Sequence, residues 1–234
     1  MGIFSRKSKD DLKKAERESL IAVLKSASAN GNDMQVFATF MNLTSGQHLG
    51  APEVPYIVNG VIEAAARRDW QIGIGMATYC LNMMDEPAMR EMLVTKTLSL
   101  ISRADRGNMR QMASVAMAAQ LVVSRAPEGS EPRQRGLKEW NTALDTLASK
   151  KDGLNFAFAA SSNAALGHDA PDDLVRHALD KWEKAVTETA KASKTDAFNE
   201  VARVTRNYYD FGRRGQAFRN RALDTLYKIA DLRP

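Results

Sequence analysis

At 234 residues, 44% hydrophobic and 26% charged, the chain can bury a core of its own and lacks the composition of a disordered polymer. A formal charge of +5 and a pI near 9.3 permit an anionic partner without requiring one. The single cysteine, Cys80, excludes an internal disulfide or a cysteine-rich metal centre, and no charge-free run is apolar for the roughly 18 residues a spanning helix needs, so a reducing, cytoplasmic setting is expected.

The chain opens on "MGIFSRKSKDDLKK", which has no apolar h-region and carries Arg6 where myristoylation needs Ser or Thr. Residues 1–15 read as a basic tail, and Ile3 and Phe4 beside Arg6, Lys7 and Lys9 offer weak peripheral contact with a membrane or a partner through residues 1–14. From there apolar residues recur at three- and four-residue spacing and alternating β-branched runs are nearly absent, which predicts an all-α fold of about ten or eleven helices. The breaks "ANGNDMQVF", "ARRDWQIGI", "ADRGNMRQM", "SKKDGLNFA" and "SKTDAFNEV" each hold an N-cap candidate: Asp33, Asp69, Asn108, Asp152 and Asp196.

Those candidates are 36, 39, 44 and 44 residues apart. In the C-terminal half "LKEWNTALDTLASKKD" lies over "LDKWEKAVTETAKASKTD", matching Leu137 with Leu179, Trp140 with Trp182, Ala143 with Ala185 and Ala148 with Ala190. Leu93, Leu100, Ala104 and Asn108 fill the equivalent places 44 residues before the first of these segments. A period in this range with two helices per unit predicts stacked helical hairpins, an α-solenoid-like array in which neighbours bury each other's apolar faces. The pattern resembles tetratricopeptide- and HEAT-type helical repeats in period and hairpin plan, and no unit carries either family's consensus. The alternative is an irregular helical bundle with evenly spaced breaks. Small residues in "GIGMAT", "ASVAMAA" and "AFAASSNAA" mark helices expected on the tightly packed side.

Residues 126–136, "APEGSEPRQRG", form the one long Pro/Gly/Glu-rich linker, and all eleven methionines fall at or before Met117. The chain therefore divides into a Met-rich hairpin half (16–125) and a Trp-anchored half (137–234) that ends in basic helices. Methionine fills irregular core gaps and also makes adaptable binding surfaces.

Catalytic fingerprints are missing, and no cofactor is implied. Gly73 and Gly75 in "WQIGIGMAT" follow no strand and are followed by Thr78, so the dinucleotide motif fails, and there is no phosphate loop or GxSxG elbow. Cys80 sits in the apolar run "MATYCLNMM", the setting of an inert thiol. "GHDAPDDLVRHALD" gathers His168, Asp169, Asp172, Asp173, His177 and Asp180, but it meets no known ligand spacing, and Pro171 with Asp172 and Asp173 suits a helix start, so no metal is expected. Asp10 with Asp11 and Asp85 with Glu86 also sit where helices begin. In length and basic character the chain is similar to HEAT-like DNA glycosylases, a resemblance that implies Trp and Asp lining a positive groove. Trp140 and Trp182 are the tryptophans available, on stripes that favour the core.

The C-terminal stretch "RVTRNYYDFGRRGQAFRNRALDTLYK" carries the candidate binding residues. Phe198, Val201, Thr205 and Tyr208 predict the buried face of one helix, and Phe218, Ala222, Leu226 and Ile229 that of the next. Arg203, Arg206, Arg213, Arg214, Arg219 and Arg221 avoid those stripes, with Tyr209 the aromatic expected in solvent. Gly212-Arg213-Arg214-Gly215 resembles the GxxG clamp of KH domains in form alone, and arginine suits bidentate phosphate or carboxylate recognition. The plainer alternative is a solvated face with Arg221 paired to Asp224. Taken together, the residues predict a non-enzymatic helical-repeat scaffold or assembly protein that binds a protein partner or itself, with a basic ridge for an acidic surface. A nucleic-acid-binding structural protein, such as a nucleoprotein or a phage or viral packaging component, is the alternative. A HEAT-like DNA-repair enzyme is the third.

Overall fold

The computed structural model describes residues 8–44, 54–149, 172–207 and 212–231, and among them every regular element is helical. Ten helices follow in chain order: α1 (Lys9–Ala29), α2 (Asp33–Leu43), α3 (Val54–Arg68), α4 (Trp70–Met83), α5 (Pro87–Ser102), α6 (Met109–Arg125), α7 (Glu131–Ser149), α8 (Asp172–Ala192), α9 (Lys194–Asn207) and α10 (Gly212–Asp231). The fold is all-α. No helix among the described residues is long and apolar enough to cross a membrane.

The caps explain where helices start. Asp69 accepts a hydrogen bond from the Gln71 amide at 2.8 Å, and Asn108 accepts from the amides of Arg110 and Gln111, as their positions in the sequence suggest. At the first break the cap is Asn32 rather than Asp33, because Asn32 Oδ1 accepts from the Gln35 amide and Asp33 already lies in the helix. Asp196 is likewise inside its helix: α9 starts at Lys194, and Ser193 Oγ accepts from the Asp196 amide. Asp152 lies outside the described residues. Glu86 closes the start of α5, accepting from the amides of Ala88 and Met89, with Pro87 in the first position where its missing N–H costs nothing. α1 begins at Lys9, well inside the stretch that reads as a tail, because Ser8 and Asp11 form a reciprocal capping box.

The chain divides into two compact units after Leu100. In the first, α1 pairs with α2 and α3 with α4. Gly31, at φ 69°, takes the left-handed turn that ends α1, and its successor's amide bonds back to Ala27. Trp70 Nε1 donates to the Leu100 carbonyl at 2.9 Å, and Lys96 of α5 pairs with Glu63 of α3 at 2.6 Å. Buried residues on α5 (Met89, Leu93, Val94, Leu98 and Ile101) lie on more than one side of the helix. Met76, Met84, Met89 and Met112 are core, whereas Met83 and Met117 are exposed.

In the second unit α6 packs on α7, while α8, α9 and α10 pack on one another. The stretch 126–136 is a turn followed by helix: Gly129 is left-handed, Ser130 caps α7, and Pro132 fits its first turn. It joins two packed helices inside the second unit. Gly136 lets α7 approach α6, since a Cβ there would stand 2.8 Å from Val122 Cγ1.

Trp140, Ala143, Leu144 and Leu147 of α7 are buried, and so are Trp182, Ala185, Val186 and Thr189 at the matching places of α8, 42 residues on. The register continues into α10, where the buried Ala222, Thr225 and Ile229 fall 40 residues after Trp182, Ala185 and Thr189. α9 departs from its expected stripe. Ala197, Glu200 and Val201 are buried, but Phe198 is at the surface. The side chains of Thr205, Tyr208 and Phe218 lie outside the described residues.

Candidate functional site

α8 carries the densest set of interhelical ion pairs among the described residues. Toward α7, Asp173 receives both guanidinium nitrogens of Arg133 at 3.0 and 2.8 Å, and Lys181 pairs with Asp145. Toward α10, Asp180 receives Arg221 Nη2 at 2.7 Å, and Glu183 receives both Arg221 Nε and Lys228 Nζ. The fork geometry of arginine explains how one side chain joins two carboxylates.

The titration behaviour follows from these contacts. The Arg133 hydrogen bond holds the Asp173 carboxyl below its ordinary range, and Arg133 is raised in return. Burial alone would push Glu183 up. The hydrogen bonds from Lys228 and Arg221 outweigh it and hold that carboxyl low.

The predicted basic ridge is only partly described. Arg203 and Arg206 belong to α9, and Arg213 and Arg214 to the first turn of α10, by their backbones; their side chains lie outside the described residues, as does Tyr209 entirely. Gly212-Arg213-Arg214-Gly215 is therefore helical rather than an open loop between helices. Arg219 is half-buried. Arg221 differs most from expectation. It is held by Asp180 and Glu183, not by Asp224, because its side chain leaves α10 on the flank that packs on α8. Lys228 is drawn to the same carboxylate.

The acid-and-histidine segment is dispersed in the same way. Asp173 and Asp180 spend their charge on Arg133 and Arg221, His177 is exposed, and no group of metal-ligating side chains forms among the described residues; His168 and Asp169 lie outside them. Trp140 and Trp182 have no exposed surface, so neither lines a groove of the kind implied by the glycosylase resemblance. Cys80 is buried, and burial pushes its thiol up to about 12, far from a reactive thiolate.

A depression of about 500 Å³ beside α3 and α5 is lined by Asn59, Glu91, Met92, Thr95 and Lys96, and two smaller ones lie elsewhere among the described residues. One, of about 480 Å³ at the start of α8, is lined by Ala126, Glu128, Arg133, Asp172, Asp173 and Arg176, whose charges largely offset each other. The other, of about 440 Å³, is an apolar groove between α1 and α3, with Leu24, Ala29, Ile57, Gly60, Val61 and Ala64 along it.

The outer face of α10 was not foreseen in the sequence. Opposite its buried stripe, Leu223 is 47% and Tyr227 70% exposed, one helical turn apart. The signal was present as an i, i+4 pair out of phase with Ala222, Thr225 and Ile229. The sequence matches no protein-family model and no curated protein.

Proposed function

We propose that this chain is a helical-repeat assembly protein that binds a protein partner or itself through exposed helix faces. The observation that carries this reading is the outer face of α10. Leu223 and Tyr227 occupy that face, while Arg221 and Lys228 are engaged internally by Glu183. Two cations of the basic stretch are thus committed within the fold, which favours an apolar contact over a purely electrostatic one.

The alternative, nucleic-acid binding, rests on the arginines that cluster at 203, 206, 213 and 214. Fluorescence anisotropy with short random RNA and DNA across a salt series separates the two. The assembly reading expects no salt-steep binding. Tight binding whose salt slope shrinks in Arg213→Ala/Arg214→Ala would replace it with phosphate recognition.

A further inference from the structure

We propose that the outer face of α10 is a self-association surface, on which a second copy of this chain packs its own α10 antiparallel about a two-fold axis. This rests on the assembly reading above and names its partner.

The repeat register shows what is unusual about this face. Lys181 of α8 reaches back to Asp145 of α7, and Arg221 of α10, 40 residues later, reaches back to Asp180 and Glu183 of α8. α7 thus offers one carboxylate to α8, and α8 offers two to α10, from places that are not equivalent in the repeat. On α10 the places equivalent to Asp180 and Glu183 are Asn220 and Leu223. Leu223 thus stands exposed where α8 carries Glu183, and the exposed Tyr227 lies one turn further on.

The same face is self-complementary. Leu223 and Tyr227 are an i, i+4 apolar pair, and the exposed Asp224 and Lys228, one step round the helix, are an i, i+4 pair of opposite charge. If two such helices cross antiparallel near Thr225 and Leu226, Leu223 of each meets Tyr227 of the other. Asp224 of each then faces Lys228 of the other. A parallel crossing would leave the two charged flanks on opposite sides of the contact, unpaired with each other. Lys228 has three donors and a side chain 58% exposed, so it can hold Glu183 and still meet a second carboxylate. A two-fold contact of this kind uses one patch on both copies, and a tyrosine in its middle is a favoured anchor.

The test uses the full chain in sedimentation equilibrium up to about 100 µM, within reach of a modest interface. Wild type is expected to dimerise. Leu223→Gln/Tyr227→Gln, both at exposed positions, should weaken association at least tenfold, with unchanged circular dichroism. Asp224→Lys and Lys228→Asp should each fail to self-associate, yet form a mixed dimer when combined, because each then supplies the other's missing sign. A monomeric wild type, a dimer indifferent to the glutamine pair, or an equimolar mixture that stays monomeric would each overturn the proposal. None of these would overturn the assembly reading, which the anisotropy experiment decides.

Discussion

Gly73 of α4 lies so close to Ala66 of α3 that a Cβ on the glycine would stand 2.3 Å from the alanine's Cβ and 2.6 Å from its Cα. Only Asp69 separates the two helices in the chain. Gly73→Ala would gain about 1 kcal/mol of helix propensity. The obstructing atoms include backbone, however, so the helices themselves must separate, and overpacking of this kind costs about 1–3 kcal/mol. A net loss of stability in urea unfolding is expected. Gly136→Ala, which meets side-chain methyls of Val122 and Val123 first, should lose less. Equal or opposite effects would show that the α3–α4 approach does not limit packing.

Acid should loosen α8 from its neighbours. The carboxyls of Asp173 and Glu183 are both held low in the folded chain, so on acidification the unfolded chain takes up protons first. The stability they contribute is fully present above the unfolded values of about 4. It disappears as pH falls through the lower folded values. Glu183→Gln should flatten the fall in stability below about pH 4.5. Urea midpoints between pH 3 and pH 7 measure it, and parallel curves for variant and wild type would refute the assignment.

Trp140 and Trp182 occupy equivalent places but differ in one bond. Trp182 Nε1 donates to Glu200 Oε1 at 3.3 Å, joining α8 to α9, whereas Trp140 Nε1 finds no acceptor among the described residues. Replacement by phenylalanine removes similar volume from each. Only Trp182→Phe also withdraws a donor from a buried carboxylate, a further cost of about 1–3 kcal/mol. Trp182→Phe should therefore unfold at lower denaturant than Trp140→Phe, and the reverse order would show that the hydrogen bond contributes nothing.

Cys80 should behave as part of the core. With its thiol pushed up to about 12 and no exposed surface, reaction with a disulfide reagent at neutral pH should await opening of the first unit. Fast modification of the native chain, at the rate seen in urea, would contradict that placement.

Much of this fold can be read from residue order, and the boundary of legibility is physical. Asp69, Asn108 and the Trp140/Trp182 stripe were evident because helix caps and apolar periodicity are local properties. The choice between Asn32 and Asp33, or between Ser193 and Asp196, turns on which side chain reaches the free amides, and spacing alone does not decide it. Arg221 was unreadable for another reason. Its carboxylates lie on α8, 41 and 38 residues away, and only the packing of α10 on α8 brings them together. Val201 is buried as its spacing suggests, but one turn earlier Ala197 rather than Phe198 faces the core, a local choice that composition does not reveal.

The pairing of helices with near neighbours carries a kinetic consequence. Among the described helices, the main contacts within each unit join neighbours or next-but-one neighbours, so many steps close only a short loop and surrender little chain entropy. Such low contact order belongs to proteins that fold in microseconds to milliseconds. As the chain leaves the ribosome, α1 and α2 can pair before α6 exists, since their contact needs nothing later in the chain.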